Sequence, residues 1–182
     1  MARVPYLDPA DLSPENRDLL ARNINLFRAL VNSPDATRSF LGLAKYIRFH
    51  SRVDPRLREM AILQVGYVAK SPYEYSHHIK IGREFGVTDE DIRAIELDTQ
   101  GKPTGLSPLE RAVLRAAREL TAQPNLPDAT FAELKKGLDN ERLVDLLLTI
   151  SFYCGVVRLL AALQIDVEED YLPYLQEFPL PR

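Results

Sequence analysis

Apolar residues recur along this chain at intervals of three and four, and almost nowhere in strict alternation, so the pattern predicts helices and no sheet. In NRDLLARNINLFRALV, Leu19, Leu20, Ile24, Phe27, Leu30 and Val31 fall on one helical stripe that needs a partner surface. In TRSFLGLAKYIRF, Phe40, Leu41, Ala44 and Ile47 share a face. RLREMAILQVGYVAK is apolar on most sides after Glu59, the pattern of a helix surrounded by others. Starts are marked by Ser13-Pro14, Ser33-Pro34, Asp54-Pro55, Ser71-Pro72 and Ser107-Pro108, each a good N-cap before a proline suited to the first helical position. Gly86 reads as a stop, Thr88 with Asp91 caps a short helix through DIRAIE, and Ser107 with Glu110 and then Asp128 cap two more. A last long helix runs from near Glu141 to about Gln164, and the tail DVEEDYLPYLQEFPLPR, with its prolines, reads as irregular. The fold class is all-α.

Composition narrows the picture. A chain of 182 residues, 46% of them hydrophobic, buries one sizeable core without disulfides or metals, so a single domain is expected. A formal charge of −3 provides no basic field, which excludes nucleic acid as an expected partner. The lone Cys154 cannot form an internal disulfide or a Cys-x-x-Cys pair, and within LLLTISFYCGVV it reads as a small buried hydrophobe. The N-terminus has no signal-peptide core. In VDLLLTISFYCGVVRLLAALQI, Asp145 and Arg158 argue for a core helix or an oligomer interface rather than a membrane span. A soluble, cytoplasmic protein with no membrane partner is expected.

Candidate chemistry concentrates in SPYEYSHH, residues 71–78, which holds two of the three histidines. On a helix starting after Ser71, Glu74 and His78 lie four apart on one face, and Tyr73 and His77 form a second such pair on a neighbouring face. A carboxylate beside an imidazole suits proton transfer, because it fixes the tautomer and raises the basicity of a ring that titrates near neutrality. The same four residues, Ser71 to Glu74, also spell a capping box, as Ser107 to Glu110 do where no chemistry is suspected, so Glu74 is open to both readings. A metal would need a third ligand such as Glu59 beside Glu74 and His78, and no closed ligand motif is present. His50 reads as the end of a helix.

RLREMAILQVGYVAKSPYEYSHHIKIGREFGVTDEDIRAIE, residues 56–96, resembles the carboxymuconolactone decarboxylase family, which also contains the alkylhydroperoxidase D branch. The resemblance rests on order: a Glu in an Arg-Glu-x-x-Ile helix, a short turn, a Glu-x-x-x-His cluster, then Gly and a Thr-capped acidic helix. The peroxidase branch carries a Glu, two cysteines and a His at positions that fall here on Glu59, Ser71, Glu74 and His78. Both thiols are absent, and neither serine nor carboxylate can cycle through sulfenic acid and disulfide. The resemblance implies an alkylhydroperoxidase D-like antiparallel helical bundle in which residues 1–53 form an N-terminal helical extension, 54–165 the core and 166–182 the tail. It further implies a pocket in which Glu59, Glu74 and His78 are catalytic, with Ser71, Tyr73 and His77 contacting substrate at its edge. A homo-oligomer, trimer or hexamer, is implied as well. The activity expected is cofactor-free, metal-free acid–base lyase chemistry on a small organic acid or lactone, such as a decarboxylation in aromatic-compound breakdown. A hydroperoxide reductase working through Cys154 and a non-catalytic oligomeric scaffold are the alternatives.

Overall fold

The computed structural model describes residues 2–181, and no strand occurs among them. The helices are α1 (Asn25–Leu30), α2 (Pro34–Phe49), α3 (Pro55–Val68), α4 (Pro72–Glu84), α5 (Asp89–Thr99), α6 (Pro108–Ala122), α7 (Asp128–Gly137), α8 (Asn140–Leu163) and α9 (Leu172–Glu177). Short 3-10 segments cover Pro9–Asp11, Pro14–Leu20 and Glu169–Tyr171.

Helix α3 is the axis of the bundle and packs on α4, α5, α6 and α8. Every residue from Leu57 to Tyr67 is buried, as its all-round apolarity requires. It divides two cores. Leu57, Ala61 and Val65 face a cluster built from α6, α7 and α8, while Met60, Leu63 and Tyr67 face Tyr75 and Ile79 of α4 and Ile92 and Ile95 of α5. Two glycines let α4 approach closely: a Cβ at Gly66 would meet the backbone of Tyr75 at 3.2 Å, and one at Gly82 would meet Val87 at 3.2 Å and the Glu59 Cβ at 3.6 Å. This close α3–α4 pair carries the candidate chemistry.

Helix α8 is long and apolar enough to cross a membrane by length and composition alone. Here Leu143, Leu146, Ile150 and Val157 enter the first core, and the buried Asp145 accepts from Tyr46 Oη at 2.8 Å and from the Arg52 amide at 2.7 Å. Its opposite face leaves Val144 64% exposed, with Leu148 beside it.

Two expectations are corrected. The stripe from Leu19 to Val31 is not one helix: Ser13-Pro14 opens a 3-10 segment, the backbone bends at Ala21 and Arg22, and α1 restarts at Asn25. The restart is set by distant partners, since the Asn25 amide donates to Glu168 (2.7 Å) and the Leu26 amide to Tyr73 Oη (3.1 Å), satisfying first-turn donors that a helix cannot satisfy itself. The tail is also regular. Tyr171, Tyr174, Leu175 and Phe178 repeat at helical spacing, and Phe178 is buried against the second core. Pro173 interrupts nothing because it sits in the first turn of α9, where its missing N–H is no loss.

Candidate active site

The α3–α4 connection decides what Glu74 does. Lys70 adopts the left-handed backbone (φ 50°), the Ser71 amide donates back to Gly66 O (2.9 Å), and the Lys70 amide donates to Tyr67 O (3.2 Å). This is a Schellman ending with lysine at the position usually held by glycine. It consumes the Ser71 N–H that a capping box would offer to Glu74. The Ser71 side chain caps nothing, so the Glu74 carboxylate is released to the face below it.

There it meets His78. His78 Nδ1 donates to Glu59 Oε2 at 2.7 Å, and Nε2 lies 3.0 Å from Glu74 Oε1, so the imidazole is clamped between carboxylates from two helices. The second contact is ionic rather than a directed hydrogen bond, and Glu74 Oε1 is buried without a hydrogen-bond partner. The other oxygen of Glu59 accepts from Arg58 Nε (3.1 Å) and Nη2 (2.9 Å). Arg58 in turn donates to the Arg48 carbonyl (3.0 Å) and lies over the Phe85 ring, 4.6 Å from its centroid. Arg58, Glu59, Glu74 and His78 are all buried. Tyr153 of α8 closes the far side, its ring edge-on to His78 at 5.0 Å.

Burial alone would keep the His78 ring neutral, but Glu74 and Glu59 outweigh it and push its pKa up to about 9. For Glu59, burial favours the acid form, yet the His78 ring and then Arg58 hold its pKa below the ordinary carboxylate value. Burial, reinforced by the same two carboxylates, raises the Tyr153 hydroxyl well above a phenol's usual value, so it remains neutral. At neutral pH the ring of His78 is an imidazolium, a proton donor in a nearly dry site.

These groups form one wall of a cavity of about 220 Å³. The remaining walls include Phe27 of α1; Phe40, Leu41, Ala44 and Ile47 of α2; Ile81 of α4; and Phe152 and Val156 of α8. The α2 stripe is therefore a cavity wall as well as a packing face. Of the residues singled out in the sequence, Glu59, Glu74, His78, Tyr73 and His77 all line this space. Ser71 does not: it is buried outside the lining, its amide committed to Gly66.

Tyr73 and His77 reach the cavity with their polar ends already occupied by the tail. Tyr73 Oη donates to Glu168 Oε1 at 3.0 Å, and His77 Nε2 donates to Glu168 Oε2 at 2.8 Å. The His77 ring is stacked between Tyr73 (4.1 Å) and Tyr171 (3.6 Å). Burial lowers the His77 pKa against the opposing pull of Glu168, so the ring is neutral. Burial would raise that of Glu168, but the His77 and Asn25 hydrogen bonds bring it to about 2.

Cys154 faces away from all of this. It is buried in the first core with Sγ 3.5 Å from Thr121 Oγ1, and it is absent from the cavity lining. Among the described residues no three His, Cys, Asp or Glu side chains are arranged to hold a metal ion; both ring nitrogens of His78 already face carboxylates. Sequence reasoning missed Arg58, Tyr153 and Glu168. Arg58 had a signal, a charge directly beside Glu59 at the start of the apolar stretch of α3, whereas Glu168 lies in an acidic run that marks no one member.

The carboxymuconolactone decarboxylase family model matches residues 34–119, from the start of α2 into α6. No protein of curated function matches the chain by sequence. Among solved structures, a debrominase, Bmp8, in complex with 2,3,4-tribromopyrrole superposes with a TM-score of 0.82 at 22% identity over 98% of each chain. A peroxidase-related protein from Ralstonia eutropha JMP134, described as an alkylhydroperoxidase AhpD core, superposes at 0.78 with 19% identity over 99% of this chain and 98% of the other. One from Silicibacter sp. TM1040 superposes at 0.71 with 17% identity, over 94% and 97%. At these identities the likeness is one of fold: residues 34–119 are similar to the carboxymuconolactone decarboxylase family, and the chain as a whole has an AhpD-like all-α fold.

Proposed function

We propose that the protein is a cofactor-free acid–base lyase that decarboxylates a small organic acid in the α2–α4–α8 cavity. The observation that carries this reading is the His78 imidazole held between Glu59 and Glu74 at the wall of an apolar cavity. His78 supplies the proton that replaces carbon dioxide on the substrate carbon. Glu59, anchored by Arg58, fixes the ring's tautomer and direction, a positioning role. Glu74, with one oxygen free of hydrogen bonds, accepts a proton from the substrate. When it does, the negative charge beside His78 is lost and the imidazolium becomes a stronger acid, so the two transfers reinforce each other.

A thiol route finds no support, because the single cysteine lies in the first core. A purely structural role fits poorly with a buried carboxylate–imidazole pair left on the wall of an open cavity. Self-association through the apolar outer face of α8, around Val144 and Leu148, accompanies the proposal, and light scattering after size exclusion tests it. For the activity, the test is NMR of the purified protein with 4-carboxymuconolactone and a panel of lactones and small carboxylic acids. Carbon dioxide release that disappears in His78→Gln supports the reading; release that persists in that variant removes it.

A further inference from the structure

The cavity's own chemistry narrows the substrate. At about 220 Å³ it exceeds the roughly 150 Å³ that accommodates a benzene molecule, leaving room for one ring and its substituents but little for a second ring. Its apolar walls carry aromatic faces: Phe40 and Phe152 pack at 4.9 Å between centroids, with Phe152 and Tyr153 at 5.4 Å. Such walls favour a flat guest.

Two buried polar atoms on lining residues lack hydrogen-bond partners, and they are of opposite kinds. One is a donor, Arg48 Nε at the end of α2, whose Nη2 pairs with Glu84; the other is an acceptor, Glu74 Oε1 in the first turn of α4, which meets His78 ionically at 3.0 Å and keeps a lone pair to offer. Buried polar atoms are rarely left unpaired, so a ligand that offers one acceptor and one donor would satisfy both. Of the charged residues on the lining, Arg58 pairs with Glu59, His78 with Glu59 and Glu74, and Arg48 through Nη2 with Glu84 outside the lining, which leaves Arg22 and Lys45 as cations without a carboxylate partner among the described residues. The protein as a whole is acidic, yet the charge left over on this lining is positive and suits an anion.

Building on the acid–base reading, we infer that the cavity receives a single planar ring bearing one carboxylate, met by Arg48, and one ring-attached O–H or N–H, met by Glu74: a hydroxybenzoate-type ring acid. The chemistry is consistent with the site. Glu74 removes the O–H proton, the oxygen's electron pair moves into the ring, and the carbon bearing the carboxylate takes the proton of His78. The bond to the carboxylate then breaks, its electrons restore aromaticity, and carbon dioxide leaves. Glu74 returns its proton to the ring oxygen and solvent reprotonates His78, so each turnover consumes one proton and releases one carbon dioxide.

Calorimetric titration of the full chain tests this, using 2- and 4-hydroxybenzoate as probes, with benzoate, phenol and a hydroxynaphthoate as comparisons. A hydroxybenzoate should bind about tenfold more tightly than benzoate or phenol, because each comparison leaves one buried atom unpaired. Arg48→Gln should remove the advantage over phenol, and Glu74→Gln the advantage over benzoate. Equal binding of all five, or preference for the bicyclic acid, would overturn the assignment. Binding is read apart from turnover: tight binding with no carbon dioxide release defeats the lyase reading alone. Decarboxylation of a lactone acid by a protein that ignores hydroxybenzoates defeats the ring-acid assignment alone.

Discussion

Two helices of this protein begin with the same four-residue pattern, Ser-Pro-x-Glu, and use it in opposite ways. At α6, Glu110 folds back so that the Ser107 amide donates to it at 2.6 Å, while Ser107 Oγ accepts from the Glu110 amide at 3.3 Å, closing the capping box. Arg56 Nη1 donates to the same carboxylate at 2.5 Å and pairs as well with Asp91, tying α3 to the starts of α5 and α6. At α4 the box never closes. The preceding helix ends so tightly that Ser71 spends its N–H on Gly66, and Glu74 turns inward to His78. Identical local chemistry thus becomes a clamp in one place and a candidate proton acceptor in the other. The choice is made before the serine: at α4 left-handed Lys70 turns the Ser71 amide back onto α3, whereas at α6 the Ser107 amide is left to Glu110.

The sharpest break of this comparison is kinetic. Replacing His78 with Gln should lower turnover by about 10²–10⁴-fold, the usual worth of a positioned acid or base, and Glu74→Gln should fall in the same range. Glu110→Gln, at the matching position of the other helix, should leave turnover unchanged in the same NMR assay. A smaller but still large effect belongs to Glu59→Ala, which strands buried Arg58 beside a protonated ring and should cost about 3–5 kcal/mol in urea unfolding.

The serines come next. Ser107→Ala should cost about 1 kcal/mol for its lost cap, whereas Ser71→Ala should stay within about 0.5 kcal/mol, having no cap to lose. Equal losses at the two serines would refute the contrast. Titration adds a further separation. His78 has a pKa raised from 6.5 to about 9, so its contribution to stability is complete below about 6.5 and is lost as pH rises through 9. Glu168 is depressed from 4.5 to about 2, so its contribution is present above 4.5 and is lost as pH falls toward 2. Thermal unfolding across that range should lose its alkaline decline in a His78→Gln variant and keep its acidic one. Lys70→Gly, which relieves a left-handed side chain, should act in the opposite direction and stabilise by about 0.5–1 kcal/mol.

Much of the fold was legible because its signals are local. The Ser-Pro and Asp-Pro starts of α2, α3, α4 and α6, the Thr88–Asp91 box and the Gly86 stop are short-range stereochemistry, and they stand where the pattern placed them. The gathering of Glu59, Glu74 and His78 was visible through their spacing and the family resemblance. What escaped was decided across distance. Periodicity cannot tell whether Phe40 and Leu41 face a core or a cavity. No local rule announces that Lys70 will go left-handed and disarm a capping box. Nor does anything near Asn25 reveal that its amide is satisfied by a glutamate in the tail.

That glutamate bears on how the protein is made. Arg22, Ile24, Leu26 and Phe27 line the cavity, and Glu168 holds this stretch through the Asn25 amide and through Tyr73, which grips Leu26. Chain synthesis runs from the N-terminus, so the α3–α4 pair with its Glu59–His78 contact can assemble long before Glu168 emerges. The wall can be tied down only when the segment carrying Glu168 has left the ribosome. A polypeptide cut short before Glu168 would keep its proton-transfer pair and lack the tether for the wall that shields it.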